Sequence, residues 1–233
     1  MNDHIVKAFD DDLNRLRGLV SEMGSRAAIA IEQAISALGQ RDLEAAKSIV
    51  ADDKRIDELE MEVEKLVVTT IALRAPMADD LRAMIAALKI AAVLERVGDY
   101  AKSIAKRVPI LAEARTIEAI PLLTSMSEIV CEMLRDVLSA YAAGDAALSV
   151  EVTQRDKAVD DFYNAIFRAS ITYMMENPRS ISESAHLLFI AKNLERAGDH
   201  ATNVAEMVYY TATGQHMAER EKGVDITAPN QEA

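Results

Sequence analysis

Two five-residue segments 100 positions apart, Glu95-Arg96-Val97-Gly98-Asp99 and Glu195-Arg196-Ala197-Gly198-Asp199, agree at four of five residues. The agreement spreads well beyond them. With an offset of 103, Met23, Ile31, Ile35 and Leu38 align with Met126, Leu134, Leu138 and Tyr141, while Asp42, Ile49, Asp53, Ile56 and Asp57 align with Asp145, Val152, Asp156, Val159 and Asp160. Pro76 matches Pro178 at 102 and Leu94 matches Leu194 at 100, so residues are lost at the turn between. A chain that repeats itself in this way is expected to fold into two related halves, each carrying its own copy of any site.

The repeat unit is helical. Apolar or small residues recur every three or four positions at Ile5, Phe9, Leu13, Leu16, Val20, Met23, Ala27, Ala30, Ala34 and Leu38, the stripe of one long amphipathic helix. A second helix starts at Asp42, a good N-cap, carries Leu43, Ala46, Ile49, Ile56, Val63, Leu66 and Leu73, and stops before Pro76. A third runs from about Met77 to Val108, and Pro109 and Pro121 bracket the join between halves. Half of the residues are apolar and 4% aromatic, with only 8 Gly and 5 Pro, a composition suited to packed helices. No run of alternating β-formers bounded by turns is found. The expected fold is therefore all-α, a tandem pair of three-helix bundles with an internal pseudo-twofold repeat. Residues 1–112 form the first repeat, 113–213 the second, and 214–233 a polar tail without apolar period, expected to be disordered.

Within each half the acids fall into pairs. On a helix, Glu95 and Asp99 lie four apart on one face, as do Glu195 and Asp199, and like charges at that spacing repel. Asp53 with Asp57, and Asp156 with Asp160, repeat the spacing, and Asp53 and Asp156 fall where the apolar stripe turns inward. Counted from Pro76, Asp57 and Glu95 are each 19 positions away and Asp53 and Asp99 each 23. The second half matches within a residue. Antiparallel helices would bring four carboxylates together in each half, about 28 Å from the turn at 1.5 Å per residue. Such a group calls for cations, and oxygen donors suit Mg, Ca, Mn or oxidised iron better than zinc. The eight acids are thus candidate metal ligands. Gly98 and Gly198, lying between them, would let a neighbouring helix or an ion approach. His200 follows Asp199 but has Tyr100 as its counterpart. The competing reading pairs the acids with Arg96, Arg196, Lys54 and Lys157 as a solvated charged face.

Other functions find little support. A net charge of −12 and a pI near 4.8 disfavour general binding to nucleic acid or anionic lipid. The polar start from Met1 to Lys7 is unlike a signal peptide and no apolar run reaches about 18 residues, so a cytoplasmic protein without membrane insertion is expected. Cys131, the single cysteine, can form no internal disulfide and is read as a packing residue. There is no Gly-rich phosphate loop and no nucleophile elbow with a His partner. Nor is any Glu-X-X-His motif, two of which ferritin-like di-iron sites use, expected in the chain. We expect no enzyme activity.

These acidic motifs resemble those of the PhoU family, bacterial accessory proteins of phosphate transport, in which a tandem three-helix repeat carries an E/D-X-X-X-D motif in each half. The resemblance covers roughly residues 1 to 213. It rests on the run from Leu94 to Asp99, the run from Ala191 to Asp199, and the stretches Ala78 to Arg82 and Ala87 to Ile90. Asn203 follows the second motif as the family often has it, whereas Ser103 stands in the first half, so the two sites would differ in metal occupancy. The resemblance implies a cytosolic negative regulator that relays the state of a phosphate ABC transporter, through its ATPase subunit, to a membrane sensor histidine kinase. It also implies a homodimer and bound metal clusters, iron among them. The alternative is a metal-free helical scaffold or adaptor.

Overall fold

The computed structural model describes residues 2–113 and 119–218, with side chains from Phe9 onward; most of the expected tail and part of the join between halves lie outside them. Helix α1 (Asn2–Gln40) is followed by α2 (Leu43–Asp52), α3 (Lys54–Arg74), α4 (Ala78–Ala105) and the short α5 (Val108–Leu111). The second half runs α6 (Ile120–Ala143), α7 (Ala146–Gln154), α8 (Asp156–Glu176), a 3-10 turn at Pro178–Ser180, and α9 (Ile181–Thr213). No strand is present among the described residues.

The repeat is visible in the caps. Asp42 Oδ1 accepts from the backbone N–H groups of Glu44 and Ala45, and Asp145 Oδ1 from those of Ala147 and Leu148, satisfying donors that a helix start leaves open. One expectation needs correction. The stretch from Asp42 to Pro76 is two helices, because the ladder breaks at Asp53, and the second half breaks at Arg155 beside Asp156. At the first break the Asp53 carboxylate turns inward to an ion pair instead of lying along the helix surface. The helix expected to reach Val108 likewise ends at Ala105, and α5 restarts with Pro109 at its second position, where a missing N–H costs nothing.

Helices α3 and α4 run antiparallel, as do α8 and α9. Ile56 and Asp53 meet Gly98, and Val159 meets Gly198: a Cβ on Gly98 would stand 2.8 Å from Ile56 Cδ1, and one on Gly198 3.2 Å from Val159 Cγ1. The two glycines therefore admit the neighbouring helix. Around these hairpins α1 packs on α4 and α6, and α9 on α4 and α6, so the four long helices form a central bundle flanked by α2–α3 and α7–α8. One apolar core, from Leu16 on α1 to Val208 on α9, is continuous across both halves.

Pseudo-twofold mates touch along the seam. The Cys131 thiol approaches the Ala28 carbonyl at 3.5 Å, Arg135 pairs with Glu32 at 2.5 Å, and Tyr100 bonds His200 at 2.9 Å. Each pair joins positions equivalent in the two repeats, which places the axis between them.

Candidate metal-binding carboxylate clusters

The first cluster lies where α2 breaks into α3, facing the middle of α4. Asp53 is buried at 5% exposure, Asp57 and Glu95 are half-buried, and Asp99 is exposed. Lys102 ties the cluster together: its Nζ lies 2.5 Å from Asp53 Oδ2 and 3.5 Å from Asp99 Oδ1. The expected register holds, with Asp53 and Asp57 brought against the turn of α4 that carries Glu95 and Asp99. Burial, and then the charges of Asp99, Glu60, Asp57 and Asp53, push the Glu95 carboxyl up to about 7. Asp57 is raised by burial and by Asp53, against the pull of Lys102, and Glu60 by burial and by Asp57.

The second cluster gathers Asp160, Glu195 and Asp199 between α8 and α9, with Asp156 buried at the start of α8. Lys192 Nζ pairs with Glu195 Oε1 at 2.8 Å and lies 5.0 Å from the centre of the Tyr163 ring. Glu195 Oε2 is buried and has no hydrogen-bond partner. Burial raises the Glu195 carboxyl, Lys192 draws it down, and Asp199 and Asp160 raise it again.

Three participants escaped the sequence reading: Glu60, Lys102 and Lys192. Glu60 stands one turn beyond Asp57, Lys102 three residues after Asp99, and Lys192 three before Glu195, spacings that put each on the acidic face. Two of the cations expected to pair with the acids are placed elsewhere. Lys54 reaches Glu58 at 3.6 Å and Arg96 is exposed. His200 joins Tyr100 rather than either cluster, its basicity lowered by burial and by Arg96. Contrary to expectation a single Glu-X-X-His does occur, Glu183 with His186 on α9, but a di-iron site needs two.

In donor chemistry the clusters fit a hard cation: every acidic donor is a carboxylate oxygen, burial and then like charge raise the Glu95 carboxyl, and Glu195 offers an orphaned buried oxygen. The countercharge is supplied by one lysine in each half. Among the described residues no three His, Cys, Asp or Glu side chains converge on a single point, so a bound cation would displace the lysine and draw the carboxylates in.

The PhoU domain model matches this chain twice, over residues 20–108 and 123–208. The "Phosphate-specific transport system accessory protein PhoU homolog" of Zymomonas mobilis is 54% identical over 225 residues, covering 97% of this chain and 95% of that protein. The Escherichia coli K12 protein called "Phosphate-specific transport system accessory protein PhoU" is 35% identical, covering 92% and 89%. Among solved structures, the phosphate transport system regulatory protein PhoU of Streptococcus pneumoniae superposes with a TM-score of 0.84 at 29% identity, covering 91% of this chain and all of that one. PhoU of Pseudomonas aeruginosa gives 0.77 at 32%, covering 92% and all of that chain. Two tandem domain matches, on a helical repeat whose acidic motifs face each other across hairpins, establish that this chain belongs to the PhoU family.

Proposed function

We propose that the protein is a cytoplasmic negative regulator of phosphate uptake and of the phosphate-starvation response. In this reading it works without catalysis, as a homodimer, relaying the state of a phosphate ABC transporter from its ATPase subunit to a sensor histidine kinase. The observation that carries the reading is the near full-length similarity, at 54% identity, to a protein named as an accessory of phosphate-specific transport. The chemistry of the chain agrees with a non-catalytic role. Its one thiol, Cys131, is buried and pushed up to about 11, far from the thiolate a nucleophile needs. No helix among the described residues is long and apolar enough to cross a membrane, in keeping with a partner that meets membrane proteins from the aqueous side.

The metal is part of the proposal. Asp53, Asp57, Glu95 and Asp99 would hold cations in the first half, and Asp156, Asp160, Glu195 and Asp199 in the second. Iron, Mg, Mn or Ca would supply the countercharge and fix the hairpins. A metal-free adaptor is the second reading, favoured by the lysine that already pairs with an acid in each cluster.

Reporter output from a phosphate-responsive promoter tests the regulatory role. Deletion should switch it on in phosphate-rich medium only while the kinase is present; low output after deletion, or equal output without the kinase, refutes the relay. Elemental analysis separates the two site readings, because Asp99→Asn with Asp199→Asn should lower metal content. Unchanged stoichiometry refutes these ligands, and wild-type protein without metal leaves the adaptor.

A further inference from the structure

An open cavity of about 770 Å³ runs between the N-terminal half of α4 and the C-terminal half of α9. Its walls are two helical stripes. On α4 the lining positions recur every three or four residues from Ala78 to Arg96, and on α9 they include His200, Asn203, Met207 and Tyr210. The floor is apolar, and Leu81 and Ile85 are 37% and 38% exposed along it. Three cations, Arg82, Lys89 and Arg96, stand seven residues apart on the α4 wall, against a net charge of −12 for the whole chain. Arg82 pairs with exposed Asp79 at 3.3 Å and lies over the Tyr210 ring at 5.4 Å. Lys89 and Arg96 have no carboxylate within ion-pair distance among the described residues, and the acid of the lining is Glu206.

The pseudo-twofold produces a second groove, which is bridged. There Arg107 lies 5.0 Å over the Phe189 ring and donates to Ser103 Oγ at 2.8 Å, while Asn193 approaches the same hydroxyl at 3.5 Å. The equivalent positions of the open groove hold Met207, Lys89, Asn203 and Val93, all of which line its cavity. In the open groove the cation that reaches from α4 to α9 is Arg82, over Tyr210, while Lys89 and Arg96 stay on the α4 wall.

We propose that the open groove receives an acidic amphipathic helix of a partner protein. From Ala78 to Arg96 the α4 stripe rises by 18 residue steps, about 27 Å, or five turns of a docked helix. Two antiparallel helices with an apolar seam form the cleft into which a third helix packs. Seven residues is also the interval at which a helix returns the same face to a neighbour, so acids spaced by seven would meet Arg82, Lys89 and Arg96 in turn, with Leu or Ile between them on Leu81 and Ile85. A basic helix would leave three cations facing like charge, and a small anion would engage only part of the row. This inference rests on the groove alone and stands or falls apart from the phosphate reading.

The probe is a fluorescent amphipathic peptide of roughly 18 residues with Glu at seven-residue spacing and Leu at the intervening positions, alongside its Glu-to-Lys counterpart. The full chain should bind the acidic peptide saturably by anisotropy, with affinity falling as salt is raised. Lys89→Glu with Arg96→Glu, both exposed sites, should weaken it about tenfold or more, leave the helical circular dichroism unchanged, and turn preference toward the Lys peptide. Absence of saturable binding, equal affinity for both peptides, or equal affinity of variant and wild type overturns the proposal. So does displacement of the peptide by micromolar pyrophosphate, which would make the groove a small-anion site. Dissociation of a wild-type dimer by the same substitutions would instead assign the groove to a second copy of this chain.

Discussion

Tyr100 and His200 occupy the same position in the two repeats and meet each other across the pseudo-twofold axis, their rings stacked at 5.5 Å and 6° and their polar tips 2.9 Å apart. A phenol that keeps its proton and a neutral imidazole can share one short hydrogen bond, and both environments favour that state. Burial raises the Tyr100 hydroxyl, and burial with the nearby Arg96 and Arg196 lowers His200. The repeat has diverged at its axis to make a complementary pair.

Acid should therefore strain this contact. Unfolded His200 takes up a proton near 6.5, whereas the folded residue resists, so the stability it contributes is complete above that pH and is lost as pH falls below it. His200→Phe should remove this component while costing about 1 kcal/mol at every pH for the lost hydrogen bond. Urea midpoints between pH 5 and 8 check it; the same pH slope in variant and wild type would contradict it.

Glu95 should slope the other way. Its folded carboxyl, raised to about 7 from 4.5, holds a proton that the unfolded chain has released, so stability falls as pH rises through that interval. Glu95→Gln should be more stable than wild type at pH 8 in EDTA and lose that advantage near pH 5. Divalent cations added at pH 8 should stabilise the wild type more than the variant, because they oppose the repulsion that the amide abolishes.

Lys102→Met tests whether a lysine stands in for metal. Asp53 would be left buried without its ammonium partner, at a cost of about 1.5–3 kcal/mol in EDTA. Added Mn or Fe should recover more stability in this variant than in wild type, since the competing ammonium is gone. Equal gains in thermal melts would argue that Lys102 and the ion do not share a place.

Much of this arrangement was legible in the sequence because both repeat offsets and helical periods are linear in chain position. The pairing of Asp53 and Asp57 with Glu95 and Asp99 followed from counting back from Pro76, since antiparallel helices of equal rise keep their register. The break at Asp53 was not legible, because Ile49 and Ile56 continue one stripe across it and only the inward ion pair to α4 reveals the bend. The roles of Lys102 and Lys192 were hidden for a related reason. Their equivalents, Thr202 and Ala92, carry no charge, so comparison of the halves passed over both lysines. Long flexible side chains choose partners by three-dimensional reach, which put Lys102 on Asp53 and left Arg96 exposed in a groove.

The unequal lysines predict unequal responses of the two halves. Lys192 acts on Glu195, whose second oxygen is buried without a hydrogen bond, and its removal leaves that carboxylate opposed by burial, Asp199 and Asp160. With the opposing pull gone, the folded carboxyl of Glu195 in Lys192→Met rises further above its unfolded value of 4.5. Stability should then be better retained at pH 5 than at pH 8, because the raised carboxyl loses its proton at higher pH in the folded state than in the unfolded one. Lys192→Met combined with Glu195→Gln should restore most of the loss at pH 8, because an amide carries no charge to bury. Urea midpoints of both variants and wild type at the two pH values decide the matter: an equal loss at pH 5 and 8 would mean that Lys192 supports the fold through its packing on Tyr163 rather than through its charge.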